Sequence, residues 1–221
     1  MANTLFLRFE GPFQSWGERA RWGERDTAPE PTKSGVVGLL ACALGYQDDL
    51  RIRNLSQSIR IGVRCDQPGE EVVDYHTVVE GVMSAEGKIK KNATTHKPET
   101  VVSNRVYLCD ASFLVAVLST PDWIDRLKVA IQHPTWPIYL GRKCCPPAAT
   151  IFAGEGTFDD QIQALQSVPL SNNSQTVRMV IEVSPGEGVR RRDEIDSRKL
   201  RTFLPRYTRE LVINIPGGNG S

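Results

Sequence analysis

Apolar and polar positions alternate over residues 3–10, with Leu5, Leu7 and Phe9 facing one way and Arg8 and Glu10 the other, which predicts a half-buried strand. A long loop, GPFQSWGERARWGERDTAPEP, follows. The pattern then becomes continuously apolar in KSGVVGLLACALG, preceded by Thr32 and closed by Gly45, which predicts a capped helix. Gly35, Gly38 and Ala41 recur at three-residue offsets, a spacing that lets a helix pack closely on a sheet. LRIRNLSQ predicts a short second helix. SIRIGVRCD predicts a second strand, with Ile59, Ile61 and Val63 on one face and Arg60 and Arg64 on the other.

Residues 67–104 differ in kind. DYHTVVEGV and ETVVSNRV can pair as strands around the polar, Lys-rich AEGKIKKNATTHKP, an extended arm whose tip has too few apolar residues to bury and is expected to be mobile. RVYLCDASFLVAVLS is strand material that turns near Asp110–Ala111, and PDWIDRLKVAIQHP is an amphipathic helix bounded by Pro121 and Pro134. Beyond the loop PIYLGRKCCPPAA, QTVRMVIEVS and RYTRELVINI predict further strands. The order strand, helix, strand, strand, helix, with a strand expected next, indicates an α+β, ferredoxin-like (RRM-like) domain over residues 1–149 with the arm inserted at about 72–105. A small β-rich C-terminal domain over 150–216 and a disordered tail, 217–221, complete the expected organisation.

The chain has 221 residues, 40% hydrophobic and 24% charged, an ordinary globular composition. No apolar run approaches the roughly 20 residues that span a bilayer, and the start of the chain lacks the apolar stretch of a signal peptide. The cysteines at 42, 65, 109, 144 and 145 form no CxxC pair, and Cys42, Cys65 and Cys109 read as small core residues of a reducing compartment. A cytoplasmic, soluble protein is expected. Net charge is only +1, so any attraction to nucleic acid must be local. Residues 86–105 carry Lys88, Lys90, Lys91, Lys97 and Arg105 against Glu86 and Glu99, and residues 189–210 carry eight basic against four acidic side chains.

Nothing in the sequence asks for catalysis. His76, His96 and His133 lie far apart, no HExxH, GxSxG or Walker loop occurs, and no cofactor or metal is implied. His76, beside Tyr75, either acts as a general acid or packs at the base of the arm.

Binding of single-stranded RNA is better supported. Phe13 and Trp16, with Gln14 between them, follow the first strand directly, near Arg19 and Arg21; flat aromatics beside arginines can stack bases and neutralise phosphates. Trp16 either stacks a base or plugs the edge of the core. Lys33 and Ser34 stand at a helix start, a plausible anion site. In YLGRK, Tyr139 precedes Gly141, whose missing side chain admits a phosphate, and Arg142 and Lys143 follow.

The stretches LRFEGPFQSWG, PTKSGVVGLLACALG, SIRIGVRCD, VDYHTVV, RVYLCDASF and YLGRKCCP occur in the order and nearly the spacing of a known family. On these residues the chain resembles the CasD family, the type I-E Cascade subunit that caps the 5′ end of the CRISPR RNA. LPRYTRE near the end matches more loosely. The resemblance implies a ferredoxin-like palm that grips the 5′ handle and an inserted β-hairpin thumb, here the arm, that contacts a CasC-like backbone subunit. A CasA-like large subunit is a further implied neighbour, and target DNA is met only through the complex. The family delegates RNA cutting to another subunit, which implies that this chain is not an enzyme. A related subtype uses its counterpart as a repeat-processing ribonuclease; under that alternative Tyr75, His76 and Lys97 are the suspects. The RNA-binding candidates are Phe13, Gln14, Trp16, Lys33, Ser34, Arg105, Tyr139, Gly141, Arg142 and Lys143, with RNA expected over loops 11–22, 32–35 and 139–143. Lys88, Lys90, Lys91 and Lys97 are the candidate thumb contacts.

Overall fold

The computed structural model describes residues 1–18, 23–79, 81–83, 87–89, 91–170 and 176–215. Strand β1, Thr4–Glu10, is followed by two short strands, Phe13–Gln14 (β2) and Glu24–Arg25 (β3). Helix α1, Lys33–Leu44, begins where the Thr32 hydroxyl accepts the Gly35 amide, satisfying a donor the first turn leaves open. It ends at Gly45, whose φ of 71° disfavours any residue with a Cβ. Asp48 caps helix α2, Asp49–Ser58, which leads into β4, Arg60–Gln67.

The arm is a hairpin. Strand β5, Glu70–Val78, pairs antiparallel with β6, Val101–Cys109, over nine register pairs from Glu70–Cys109 to Val78–Val101. After a turn through Asp110 at φ 53° come β7, Ser112–Leu118, and helix α3, Pro121–Gln132, with Pro121 at its first position. Strand β8, Phe152–Gly156, and helix α4, Gln161–Ser167, precede β9, Thr176–Val183, β10, Val189–Ser197, and β11, Thr202–Asn214.

The result is a mixed α+β molecule built mostly on antiparallel pairing. The main sheet has seven strands in the order β10-β11-β9-β4-β7-β1-β8. A second sheet contains the hairpin, with β2 and β3 flanking β6 and β5 pairing β6. The C-terminal strands do not form a sheet of their own, contrary to the expected boundary at 149–150. Strand β8 pairs with β1 and β9 pairs with β4, so one hydrogen-bonded sheet runs through both parts. The expected tail, 217–221, lies outside the described residues.

Both faces of the main sheet are covered. Leu5, Leu7, Phe9, Phe113, Val115 and Val117 join the large core with α1, α2 and α3. Phe6, Leu114 and Ala116 point the other way, into a smaller cluster with Ala164 and Leu165 of α4. Arg64, on the face opposite Ile61 and Val63 as the alternation predicts, is fully buried there. Its guanidinium pairs with Asp66 and donates to the Leu165, Val168 and Pro169 carbonyls, so it holds the last turn of α4 where the helix dipole favours a cation. Cys65 joins the core, while Cys42 and Cys109 reach only its margin, and all five thiols are free. Among the described residues no helix is long and apolar enough to cross a membrane.

Candidate nucleic-acid cleft

Three loops far apart in sequence meet at one open cleft of about 230 Å³, lined by Ser15, Trp16, Gly17, Thr32, Ser34, Gly35, Gly141 and Arg142. They are the segment after β1, the start of α1 and the loop before Cys145, and all three belong to stretches singled out in the sequence. Arg19 and Arg21 of the first segment lie outside the described residues.

Close backbone packing joins the loops. The Ser15 amide donates to the Leu140 carbonyl at 3.1 Å, and an added Cβ on Gly141, which sits at φ 89°, would come within 1.7 Å of the Ser15 oxygen. Ser15 leaves no room for a side chain on Gly141, a packing reason for the glycine beyond the phosphate approach expected from the sequence. Gly35 has a similar reason, since a Cβ there would meet the Trp16 ring at 2.7 Å.

Trp16 is the core plug, not an exposed stacking platform. It is 1% exposed, stacks on Phe9 with ring centroids 5.3 Å apart, and donates its indole N–H to Gln14 Oε1 at 3.1 Å. Gln14 is equally buried, its amide donating to the Phe9 and Ala111 carbonyls at 3.0 and 2.8 Å. Both residues shape the cleft floor from below and offer no polar group to a ligand.

Lys33 is also corrected. Its side chain turns away from the cleft, 3% exposed, with Nζ 2.9 Å from Glu182 Oε1 and 3.1 Å from Glu194 Oε2. Its backbone amide donates to Asp193 Oδ2 at 2.8 Å. Asp193 also binds the Arg206 guanidinium; burial alone would raise its carboxyl, but Arg206 and the Lys33 amide hold it below the ordinary value. This buried network ties the N-terminal end of α1 to β9, β10 and β11.

Arg142 staples the cleft wall. It donates to the Val106, Arg25 and Asp26 carbonyls, and its guanidinium lies over the Tyr107 ring at 4.6 Å. Burial raises the Tyr107 phenol, which touches Cys144 Sγ at 3.5 Å, and burial pushes the adjacent Cys145 thiol up to about 12. Of the remaining candidates only Ser34 lines the cleft, and Phe13, Tyr139 and Lys143 lie near its lining residues in sequence. Phe13 is 43% exposed with its edge on Tyr107; Ser34 and Tyr139 are half-buried; Lys143 is exposed. Arg105, half-buried, bonds to Ser103 and has Arg25 as its register partner on β3. Exposed Arg25 was missed in the sequence, where nothing marks a two-residue strand that brings it beside Arg105.

Residues 4–213 match the family model for the CRISPR-associated protein Cas5. The chain belongs to the Cas5 family. It is 37% identical over 178 residues to the CRISPR system Cascade subunit CasD of Escherichia coli (strain K12), covering 75% of this chain and 76% of that protein. A crystal structure of a Cas protein superposes with a TM-score of 0.75 at 32% identity, over 98% of this chain and all of that one. A chain of a CRISPR RNA-guided surveillance complex does so with a TM-score of 0.75 at 28% identity, over 98% and 95% of the two chains.

The hairpin of this Cas5-family chain exposes Val73, Tyr75, Met83 and Ile89, and its far end carries exposed Lys88, Lys91 and Lys97. Lys90 lies outside the described residues. Asn92 organises a local turn that the polar composition did not announce, its side chain accepting the Thr94 and Thr95 amides, with His96 at φ 53°. Tyr75 and His76 are consecutive on β5 and so point to opposite faces of the ladder. His76 faces the neighbouring Asp74, with Nδ1 3.4 Å from Oδ2. Among the described residues no group of His, Cys, Asp and Glu is arranged to hold a metal.

Proposed function

We propose that this Cas5-family chain is a non-catalytic, guide-RNA-binding subunit of a type I-E Cascade complex in the cytoplasm, holding the 5′ handle of the CRISPR RNA. The observation that carries this reading is the convergence of residues 15–17, 32–35 and 141–142 on one cleft, with half-buried Ser34 in its lining and exposed Phe13 and Lys143 and half-buried Tyr139 near lining residues in sequence. A flat aromatic, hydroxyls and a cation around a fixed cleft suit splayed bases and phosphates, and they need no catalytic group.

A ferredoxin-like palm fits the strand order β8-β1-β7-β4, antiparallel throughout, with α1 and α2 leading into β4 and α3 leading towards β8. The hairpin serves as the thumb, its exposed lysines and apolar side chains meeting a CasC-like neighbour, and a CasA-like subunit lies against the palm. The ribonuclease reading, with Tyr75 and His76 or Lys97 as its suspects, has less support, because Tyr75 and His76 point to opposite faces of β5. Single-turnover incubation with labelled repeat RNA, with and without chelator, is expected to leave the RNA intact. A discrete product lost in His76→Ala would overturn the non-catalytic reading.

A further inference from the structure

The basic stretch 189–210 has no role in the cleft, and its pairing is one-sided. Strand β10 is the edge of the seven-stranded sheet and carries Arg190, Arg191 and Arg192. Each acid on that strand is taken by a cation from another element. Asp193 is held by Arg206, Glu194 by Lys33 and Asp196 by Arg53. Arg191 turns inward to Glu30 at 2.7 Å and lies 3.8 Å from Glu18 of the cleft loop, which joins this edge to the cleft. Arg190, Arg192, Lys199 and Arg201 stay exposed; among the described residues Arg190, Arg192 and Arg201 make no ion pair, while the Lys199 ammonium acts on the Asp49 carboxylate.

The cations stand on a rigid support. The turn beyond β10 is clamped to the start of α2, where Asp49 accepts the Ser197 hydroxyl and the Lys199 amide and Arg198 donates to the Gln47 carbonyl. Two aromatics accompany them: Tyr207 is the register partner of Arg190, and Phe203 is 41% exposed near the turn. The strand's nine residues extend on the order of 30 Å.

We infer that the β10 edge, through Arg190, Arg192, Lys199 and Arg201, is a second track for the phosphodiester backbone of a single strand, continuing from the cleft. The inference rests on the nucleic-acid reading of the cleft. Exposed cations on a fixed edge, three of them without an ion pair, with aromatics alongside are the chemistry of sequence-independent single-strand binding. The strand is either guide RNA leaving the cleft or single-stranded DNA handled by the complex, and the backbone chemistry is common to both.

The test uses the full chain and labelled, unstructured oligouridine and oligothymidine in salt series, with handle RNA measured separately. Replacing Arg190, Arg192, Lys199 and Arg201 together by Ala should weaken binding of the unstructured strands by on the order of tenfold or more at low salt. It should also flatten the log–log salt slope by about 0.7 per lost contact. Loss on both strands supports a general backbone track, and loss on RNA or DNA alone assigns its source. Lys128→Ala, a cation change on α3 paired with Glu155, should leave binding unchanged. An unaltered slope in the four-site variant, an equal loss in Lys128→Ala, or no retention of either oligomer by the unaltered chain would overturn the track. Phe13→Ala with Lys143→Ala should instead weaken handle RNA. If that pair has its effect and the edge variant has none, the edge inference alone fails; if neither has an effect, the cleft reading fails with it.

Discussion

Trp16 and Asp193 sit on either side of the start of α1, and each holds the cleft in shape without reaching a ligand. Trp16→Ala removes a fully buried indole stacked on Phe9 and should cost about 3–5 kcal/mol of stability. It should leave the salt slope of RNA binding unchanged in any variant protein that remains folded; denaturant melts and a binding series check the two outcomes. Asp193→Asn leaves the buried Arg206 guanidinium with only Glu182, 3.7 Å away and shared with Lys33, and should cost about 3 kcal/mol near neutral pH. Because the Asp193 carboxyl is held below its ordinary value, the stability it confers is fully present above the unfolded value of about 3.9. That stability is lost as pH falls through the lower folded value. Acid melts of the two proteins should therefore converge, and a gap that persists undiminished in strong acid would contradict the assignment. At this scale the sequence left Trp16 open between base and core, since an aromatic in a loop after a strand suits both. It pointed Lys33 at a phosphate because its true partners, Glu182 and Glu194, lie 149 and 161 residues away. Local spacing carries no trace of them.

Elements whose signals are local were legible. Thr32 and Gly45 bracket α1, Pro121 opens α3, and the Asp110–Ala111 turn separates β6 from β7. Helix α4 was not, being seven residues long, and with it went the second covered face of the sheet. Its presence turns Arg64 from a surface residue into a buried clasp. Arg64→Ala should leave the Leu165 and Val168 carbonyls without their donor and Asp66 with Arg8 alone, and cost on the order of 3 kcal/mol, read by denaturant melts. The hairpin behaves oppositely. Replacing residues 84–98 with a short Gly-Ser turn leaves every strand of the main sheet untouched, so thermal melts should show the main sheet and its helices folded. Co-purification with a guide complex should weaken sharply, and normal assembly of the shortened chain would show that the hairpin is not the thumb.

Across the whole molecule, one continuous sheet carries both the cleft and the C-terminal strands, and the buried Lys33–Glu182–Glu194 and Asp193–Arg206 contacts lock the two together. The boundary expected near 150 came from a real loop rich in Pro and Ala, but a loop in sequence does not reveal that β9 returns to pair with β4. The Cas5 family match runs through both parts, and three loops far apart in sequence meet at a single place. The most direct test of that meeting point is photo-crosslinking in a reconstituted guide complex, with thiouridine placed in the 5′ handle and the linked peptides identified. Crosslinks from this chain are expected in the segments holding Phe13, Ser34 and Tyr139 to Lys143. Handle crosslinks that fall only on other subunits, or only on the hairpin, would contradict it.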